Sequence, residues 1–136
     1  MSKEVNHKSE NQSGALDTLK NILTGDQILG FQSLVRKIPI ADNVLEYAVS
    51  LASKTRPNTS LATQEVNNYI SWGAGPRASQ YLVLGAKCHA AIHGKYSPDK
   101  EDVQAIAYYV LRHRIVKNYK AEAEGITEEQ IIKTLF

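Results

Sequence analysis

The sequence predicts an all-α fold, a small bundle of about five helices with short connections. Apolar residues recur at helical spacing through most of the chain from Leu16 on. Five such segments open or close on capping residues, glycine or proline. No heptad seam is sustained, so the segments read as a bundle and not a coiled coil.

Residues 1–15 come first. The stretch MSKEVNHKSENQSG holds one large aliphatic residue, Val5. Such a segment cannot bury enough apolar surface to fold, and it reads as a disordered N-terminal segment or linker. Residues 16–136 read as the helical domain. Thr24-Gly25-Asp26-Gln27 fits a capping box, with the Thr24 hydroxyl capping and Gln27 reaching back. Ile28, Phe31, Leu34 and Val35 keep helical spacing to about Arg36, and Pro39 breaks the helix. Asp42 reads as the cap of a second helix, with Val44, Leu45, Ala48, Leu51 and Ala52 on one face. That helix ends near Arg56, before Pro57. Residues 57–72 hold no clean period and read as a loop, with a short helix or a short extended piece at 68–72.

A long helix follows the glycine-proline turn, from Pro76 to about His93. Proline suits the first helical position, where its missing N–H is not needed. Gly94 ends this helix. Ser97-Pro98 restarts the chain as a helix, with Asp99, Glu101 and Asp102 complementing its dipole. Val103, Ile106, Ala107, Val110 and Leu111 form one apolar face. This face is expected to pack on the Pro76–His93 helix, where Gly85 leaves room for a close approach. Residues 112–119 connect towards Gly125. Thr127-Glu128-Glu129-Gln130 is a second capping box, opening a final helix with Ile131, Ile132 and Leu135.

Composition narrows the function. The 136 residues are 43% hydrophobic and 22% charged, ordinary for a soluble globular domain. A net charge of +2 does not argue for a nucleic-acid or membrane surface. No apolar run approaches the roughly 18 residues needed to span a membrane, and residues 1–14 lack the apolar segment of a signal peptide. A lone cysteine, Cys88, excludes an internal disulfide and suits a cytoplasmic location.

The chain holds no phosphate-binding loop of the GxxxxGK[ST] type, no GxGxxG, no CxxC and no HExxH. His89 and His93 are four apart and share a helix face, as metal ligands can, but two ligands do not make a zinc site. The plainer reading places His89 partly towards the core and His93 against the negative helix end. Cys88 reads as a small buried apolar residue. Arg112, His113, Arg114, Lys117 and Lys120 are either a solvated face or a contact surface for an acidic partner. A nucleic-acid binder using this cluster is disfavoured by the small net charge. Arg77 is the anomaly. The N-terminal end of a helix prefers a carboxylate, yet an arginine stands there. It is either a surface ion-pair residue or a guanidinium aimed at an anion from a rigid turn.

These residues also carry a resemblance. The stretch WGAGPRAS resembles the G-A-S-P-R-A motif in the C-terminal helical lid of MoxR-type AAA+ ATPases. Downstream, SPDKEDVQAIAYYVLRHRIVKNYKAEAEGIT is similar to the family's acidic pair, V-L-R-H-R and E-A-E-G stretches. Upstream, LTGDQILGFQSLVRKIPIADNVLEYAVSLASKTRP is similar to its opening helices and closing A-T-R-P. The resemblance covers roughly residues 20–136. It implies a lid that follows an α/β core, and the core would carry the phosphate loop, the Mg2+-binding acids and the arginine finger. None of these motifs is in this chain. It implies that Arg77 is the sensor-2 arginine, reaching the γ-phosphate of ATP in the core, and that Gly75 and Pro76 form its positioning turn. ATP and Mg2+ would belong to the parent protein, with no cofactor bound by this chain alone. Partners would be the AAA+ core of the same parent chain, further copies in a homo-oligomeric ring, and an unidentified client protein. The parent would be a chaperone-like ATPase that matures or activates protein complexes. The chain departs from the motif at Gly75, where the family has serine. The alternative is a stand-alone helical protein-interaction module without ATPase activity. It shares the fold and differs in whether Arg77 ever meets ATP.

Overall fold

Side chains that satisfy free N–H groups set most of the helix starts. In the computed structural model, which describes residues 21–136, the helices are α1 (Gly25–Lys37), α2 (Asp42–Lys54), α3 (Gln64–Tyr69), α4 (Arg77–Ile92), α5 (Lys100–Leu111), α6 (Tyr119–Ala123) and α7 (Glu128–Lys133). The strands are β1 (Ile70–Trp72) and β2 (Val116–Lys117). The segment read as a linker, residues 1–15, lies outside the described residues. The chain divides into two compact units between Gln32 and Ser33.

Both expected capping boxes form. At α1 the Thr24 N–H donates to Gln27 Oε1 at 2.8 Å, and the Gln27 N–H donates to Thr24 Oγ1 at 3.2 Å. At α7 Thr127 and Gln130 make the same exchange at 2.8 and 3.2 Å. The start of α5 differs from the expected one. Its cap is Asp99, in a third box closed by Asp102. Asp42 is not the cap of α2. Ala41 holds that position without a side-chain bond, and Asp42 is the first helical residue, where its carboxylate still favours the dipole. Two helices end on glycines in the left-handed region, Gly94 (φ +72) after α4 and Gly125 (φ +67) after α6. In each case the next N–H returns five residues, Lys95 to the Ala90 carbonyl and Ile126 to the Ala121 carbonyl.

In the unit from Ser33 to Phe136, α4 is central. It buries Ala78, Leu82, Ala86 and Ala90, one line at four-residue spacing. Against it α5 buries Val103, Ala107 and Leu111. A Cβ on Gly85 would lie 3.1 Å from Ile106 Cδ1, the close approach expected there. Val44, Ala48, Leu51 and Ala52 of α2, Val66 and Ile70 of the α3–β1 segment, Ala74, Ile115, and Ile131, Ile132 and Leu135 join this core. Leu45 departs from the expected α2 face and is exposed. Cys88 is also exposed, not buried, because it lies two residues from both Ala86 and Ala90 and so points away from their line. None of the residues of α1 is buried, and its Ile28, Leu29, Phe31 and Leu34 are exposed.

Residues 57–72 resolve into α3 followed by β1. The connection after Arg114 contains β2 and the start of α6. The strands pair antiparallel, Ile70 with Lys117 and Trp72 with Val116, with an irregularity between the two pairs. Asn118 clamps the ladder, its N–H on the Tyr69 carbonyl (2.9 Å) and its Nδ2 on the Asn68 carbonyl (2.8 Å). Among the described residues no helix is long and apolar enough to cross a membrane.

Candidate functional site

The turn from Gly73 to Arg77 is held by the end of α2. The Ala74 N–H donates to Thr55 Oγ1 at 2.8 Å, and the Ala74 carbonyl accepts from Arg56 Nε at 3.0 Å. Thr55 is buried, and its hydroxyl hydrogen goes to the Ala52 carbonyl at 2.6 Å, so its donor is committed. Gly73 packs directly on this pair. A Cβ there would collide with the Thr55 carbonyl oxygen and lie 2.6 Å from Arg56 Cα and 2.7 Å from Arg56 N. Gly75 is different. A Cβ on it meets open space, and its φ is not in the left-handed region. The glycine that the turn requires is therefore Gly73. Sequence reading missed it because the atoms that demand it belong to residues 55 and 56.

Pro76 takes helical dihedrals (φ −56, ψ −31) and leads directly into α4. The Ala78 N–H bonds to the Gly75 carbonyl at 2.9 Å, Ser79 Oγ bonds to the Pro76 carbonyl at 2.7 Å, and the Ala78 side chain is buried. Arg77 thus stands on backbone fixed from both sides, while its own side chain is exposed. Among the described residues it makes no salt bridge and no side-chain hydrogen bond. Trp72, the only tryptophan in the sequence, is 74% exposed on the strand that leads into this turn.

The basic residues after α5 do not form one free surface. The Arg114 guanidinium lies 4.6 Å from the Tyr81 ring centre, and its Nη1 donates to the Val110 carbonyl at 2.6 Å. Lys117 is largely buried, donates to the Ile126 carbonyl (3.1 Å), and pairs with Glu122 (3.2 Å) and Glu128 (3.5 Å). Burial works against its charge, but the bond to Glu122 and the charges of Glu122 and Glu128 outweigh it and raise its pKa. Arg112 lies over the Tyr108 ring, and its Nε donates to His113 Nε2 at 3.1 Å.

A second polar cluster sits at the other end of α4. Asp102 is fully buried and accepts from His89 Nδ1 (2.7 Å), Lys95 Nζ (3.1 Å) and the Asp99 N–H (2.9 Å). Burial alone would push its carboxyl up, but hydrogen bonds from Asp99, His89 and Lys95 hold it down to about 2. Asp102 is thus more than the dipole complement expected of it. His93 Nδ1 bonds to the His89 carbonyl at 2.7 Å. A cavity of about 550 Å³ between α2 and α4 is lined by Leu45, Val49, Val83 and Leu84, with Arg36 and Lys87 as its charged members. It holds no acid, base or nucleophile pairing.

Comparison with known proteins fits this geometry. The AAA lid domain family matches residues 62–135, more than half of the chain. The chaperone MoxR1 of Mycobacterium tuberculosis is 30% identical over 113 residues, which is 83% of this chain and 30% of that protein. An uncharacterized protein, YeaC of Bacillus subtilis, is 26% identical over 93% of this chain and 37% of its own length. The crystal structure of a "putative ATPase" from Cytophaga hutchinsonii superposes with a TM-score of 0.75 at 34% identity, over 81% of this chain and 33% of that one. The chain therefore spans about a third of the length of each of these relatives. It belongs to the AAA lid domain family, as a lid of the MoxR type.

Proposed function

We propose that this chain closes over ATP bound in a separate α/β core and that Arg77 acts as the sensor-2 arginine on the γ-phosphate. The observation that carries the reading is the locked turn: Thr55 and Arg56 fix both polar groups of Ala74, and three residues later an exposed guanidinium has no partner among the described residues. A planar fork on a rigid support suits phosphate oxygens. The residues present fit one phosphate contact and no more. The sequence has no phosphate loop, and among the described residues no three His, Cys, Asp or Glu side chains gather to hold a metal ion. ATP and Mg2+ would therefore be held by the core, which supplies the phosphoryl-transfer chemistry. Arg77 would bind and orient the terminal phosphate and couple lid position to it, since a ligand moves a conformational equilibrium only through differential contacts.

The protein carrying that core is then a cytoplasmic, chaperone-like ATPase acting on a client complex, assembled as a homo-oligomeric ring. The relative named as a chaperone supports the chaperone-like role. The test is Arg77→Ala in the core-bearing protein. ATP hydrolysis should fall by roughly one to three orders of magnitude, as when a positioned charge on a transferring phosphoryl group is removed. Arg77→Lys should recover only part of the activity, because an ammonium lacks the planar fork. Full activity in the alanine variant sinks the assignment and leaves the interaction module as the reading.

A further inference from the structure

We infer that Arg114 is a positioning residue for Arg77: its guanidinium covers the Tyr81 ring that would otherwise capture the Arg77 side chain. The packing of α4 brings the two arginines to one end of the unit. Gly85 meets Ile106 and His89 meets Asp102, so α4 and α5 run antiparallel. The residues that follow α5 therefore return to the start of α4, where Arg77 stands. Tyr81 lies one turn further along α4, and side chains four apart share a helix face. A long side chain on a helix also leans back over the preceding turn. An exposed guanidinium so placed is attracted to the ring face. The guanidinium that occupies this ring is instead that of Arg114, 4.6 Å from the ring centre and anchored by its Nη1 on the Val110 carbonyl at 2.6 Å. Among the described residues Arg77 lies over no ring.

The other acceptors beside Arg77 are taken in the same way. The Ala74 carbonyl accepts from Arg56, the Gly75 carbonyl from the Ala78 N–H, and the Pro76 carbonyl from Ser79. Strand pairing at Trp72 and the Arg114–Tyr81 contact bring residues 70–81 against residues 108–118. Neither segment contains an aspartate or a glutamate. The two arginines also repel each other, which adds to the exclusion of Arg77 from an occupied ring. Arg77 is thus kept from every kind of local partner, and its donors stay available to an anion from outside this chain. The inference rests on the reading of Arg77 as a phosphate contact and extends it. A guanidinium held back by its own chain binds more weakly, in proportion to the fraction of molecules in which it is held.

The experiment has two arms. In NMR spectra of the full chain, nuclear Overhauser contacts from the Tyr81 ring protons should reach the Arg114 side chain and not that of Arg77. In Arg114→Ala they should reach Arg77. In the core-bearing protein, Arg114→Ala should weaken a non-hydrolysable ATP analogue by about two- to fivefold, the ratio that an exposed cation–ring contact supplies, and leave ADP unchanged. Adding Tyr81→Leu to Arg114→Ala should restore the affinity, because no ring remains to hold Arg77. Loss of a structural contact or of positive charge alone would not be rescued in this way. Circular dichroism checks that each variant is helical. Should Arg114→Ala fail to fold, Arg114→Gln replaces it, keeping a donor for the Val110 carbonyl without the charge that a ring face attracts. Contacts from Tyr81 to Arg77 already in the parent chain, their absence in the Arg114 variant, or no rescue by Tyr81→Leu overturns the inference. An Arg77→Ala variant that binds the ATP analogue unchanged would instead remove the sensor-2 reading, and the contacts in the chain alone would still decide whether Arg114 holds Arg77 off the ring.

Discussion

Gly73 and Gly75 stand two residues apart in the same turn, and the structure assigns them opposite tolerances. Any Cβ on Gly73 strikes the backbone of Thr55 and Arg56, which cannot give way without moving α2. Gly73→Ala should therefore cost about 1–3 kcal/mol, the range for forced overpacking. Gly75→Ala should stay within about half a kcal/mol, as for a surface change. Urea unfolding of the two variants compares them directly, and equal midpoints would contradict the locked turn. Asp102 gives a pH signature. Its folded pKa, about 2, lies below the ordinary value of 3.8. A lowered pKa contributes stability that is fully present above the ordinary value and lost as pH falls towards the folded one. That contribution is on the order of 2 kcal/mol, set by the shift between the two values. Stability should thus drop between about pH 5 and pH 2, and Asp102→Asn should flatten that limb in denaturant titrations. An equally steep acid limb in the asparagine variant would remove Asp102 as its source. Arg77 stood out in the sequence because a cation at a helix start contradicts the dipole. Gly73 was not, because its steric demand comes from residues far along the chain.

At the scale of elements, the pairing of α4 with α5 holds the second unit together. Leu82 and Leu111 are fully buried in it, so Leu82→Ala should cost about 2–5 kcal/mol. The contact of Gly85 with Ile106 permits a finer test. Alanine at position 85 gains helix propensity of up to about 1 kcal/mol but crowds Ile106 Cδ1. Gly85→Ala should thus be near neutral or unfavourable in the parent chain and stabilising once Ile106→Ala has opened the space. A double-mutant cycle with no coupling would show that the helices do not meet there. The long helices α1, α2, α4 and α5 were readable from helical spacing and from the prolines and glycines beside them, although the caps expected for α2 and α5 were not the ones that form. So was α7, short but opened by a capping box. The pieces α3, β2 and α6 were not, and β1 only as one of two options for residues 68–72, because two to six residues hold too little of any period. The outward turn of Cys88 was missed for a related reason. Buried alanines, more than large side chains, mark the core line of α4, so hydrophobicity alone did not show which face was inside.

For the whole molecule, the fold and the family were legible together, the family through its motifs, while a nucleotide site could not be read from this chain, since the sequence holds no phosphate-binding loop. Arg77 is exposed and without a partner among the described residues, so Arg77→Ala should leave the thermal midpoint of this chain nearly unchanged. An unfolded variant would make Arg77 a structural residue instead. The most direct test of Arg77 as a γ-phosphate sensor is the pair of affinities, for ADP and for a non-hydrolysable ATP analogue, measured on the core-bearing protein with and without Arg77→Ala. Loss of a charge-assisted bond made only to the third phosphate should weaken the ATP analogue by about ten- to a hundredfold and leave ADP unchanged. Equal loss for both nucleotides, or no loss for either, would contradict the assignment.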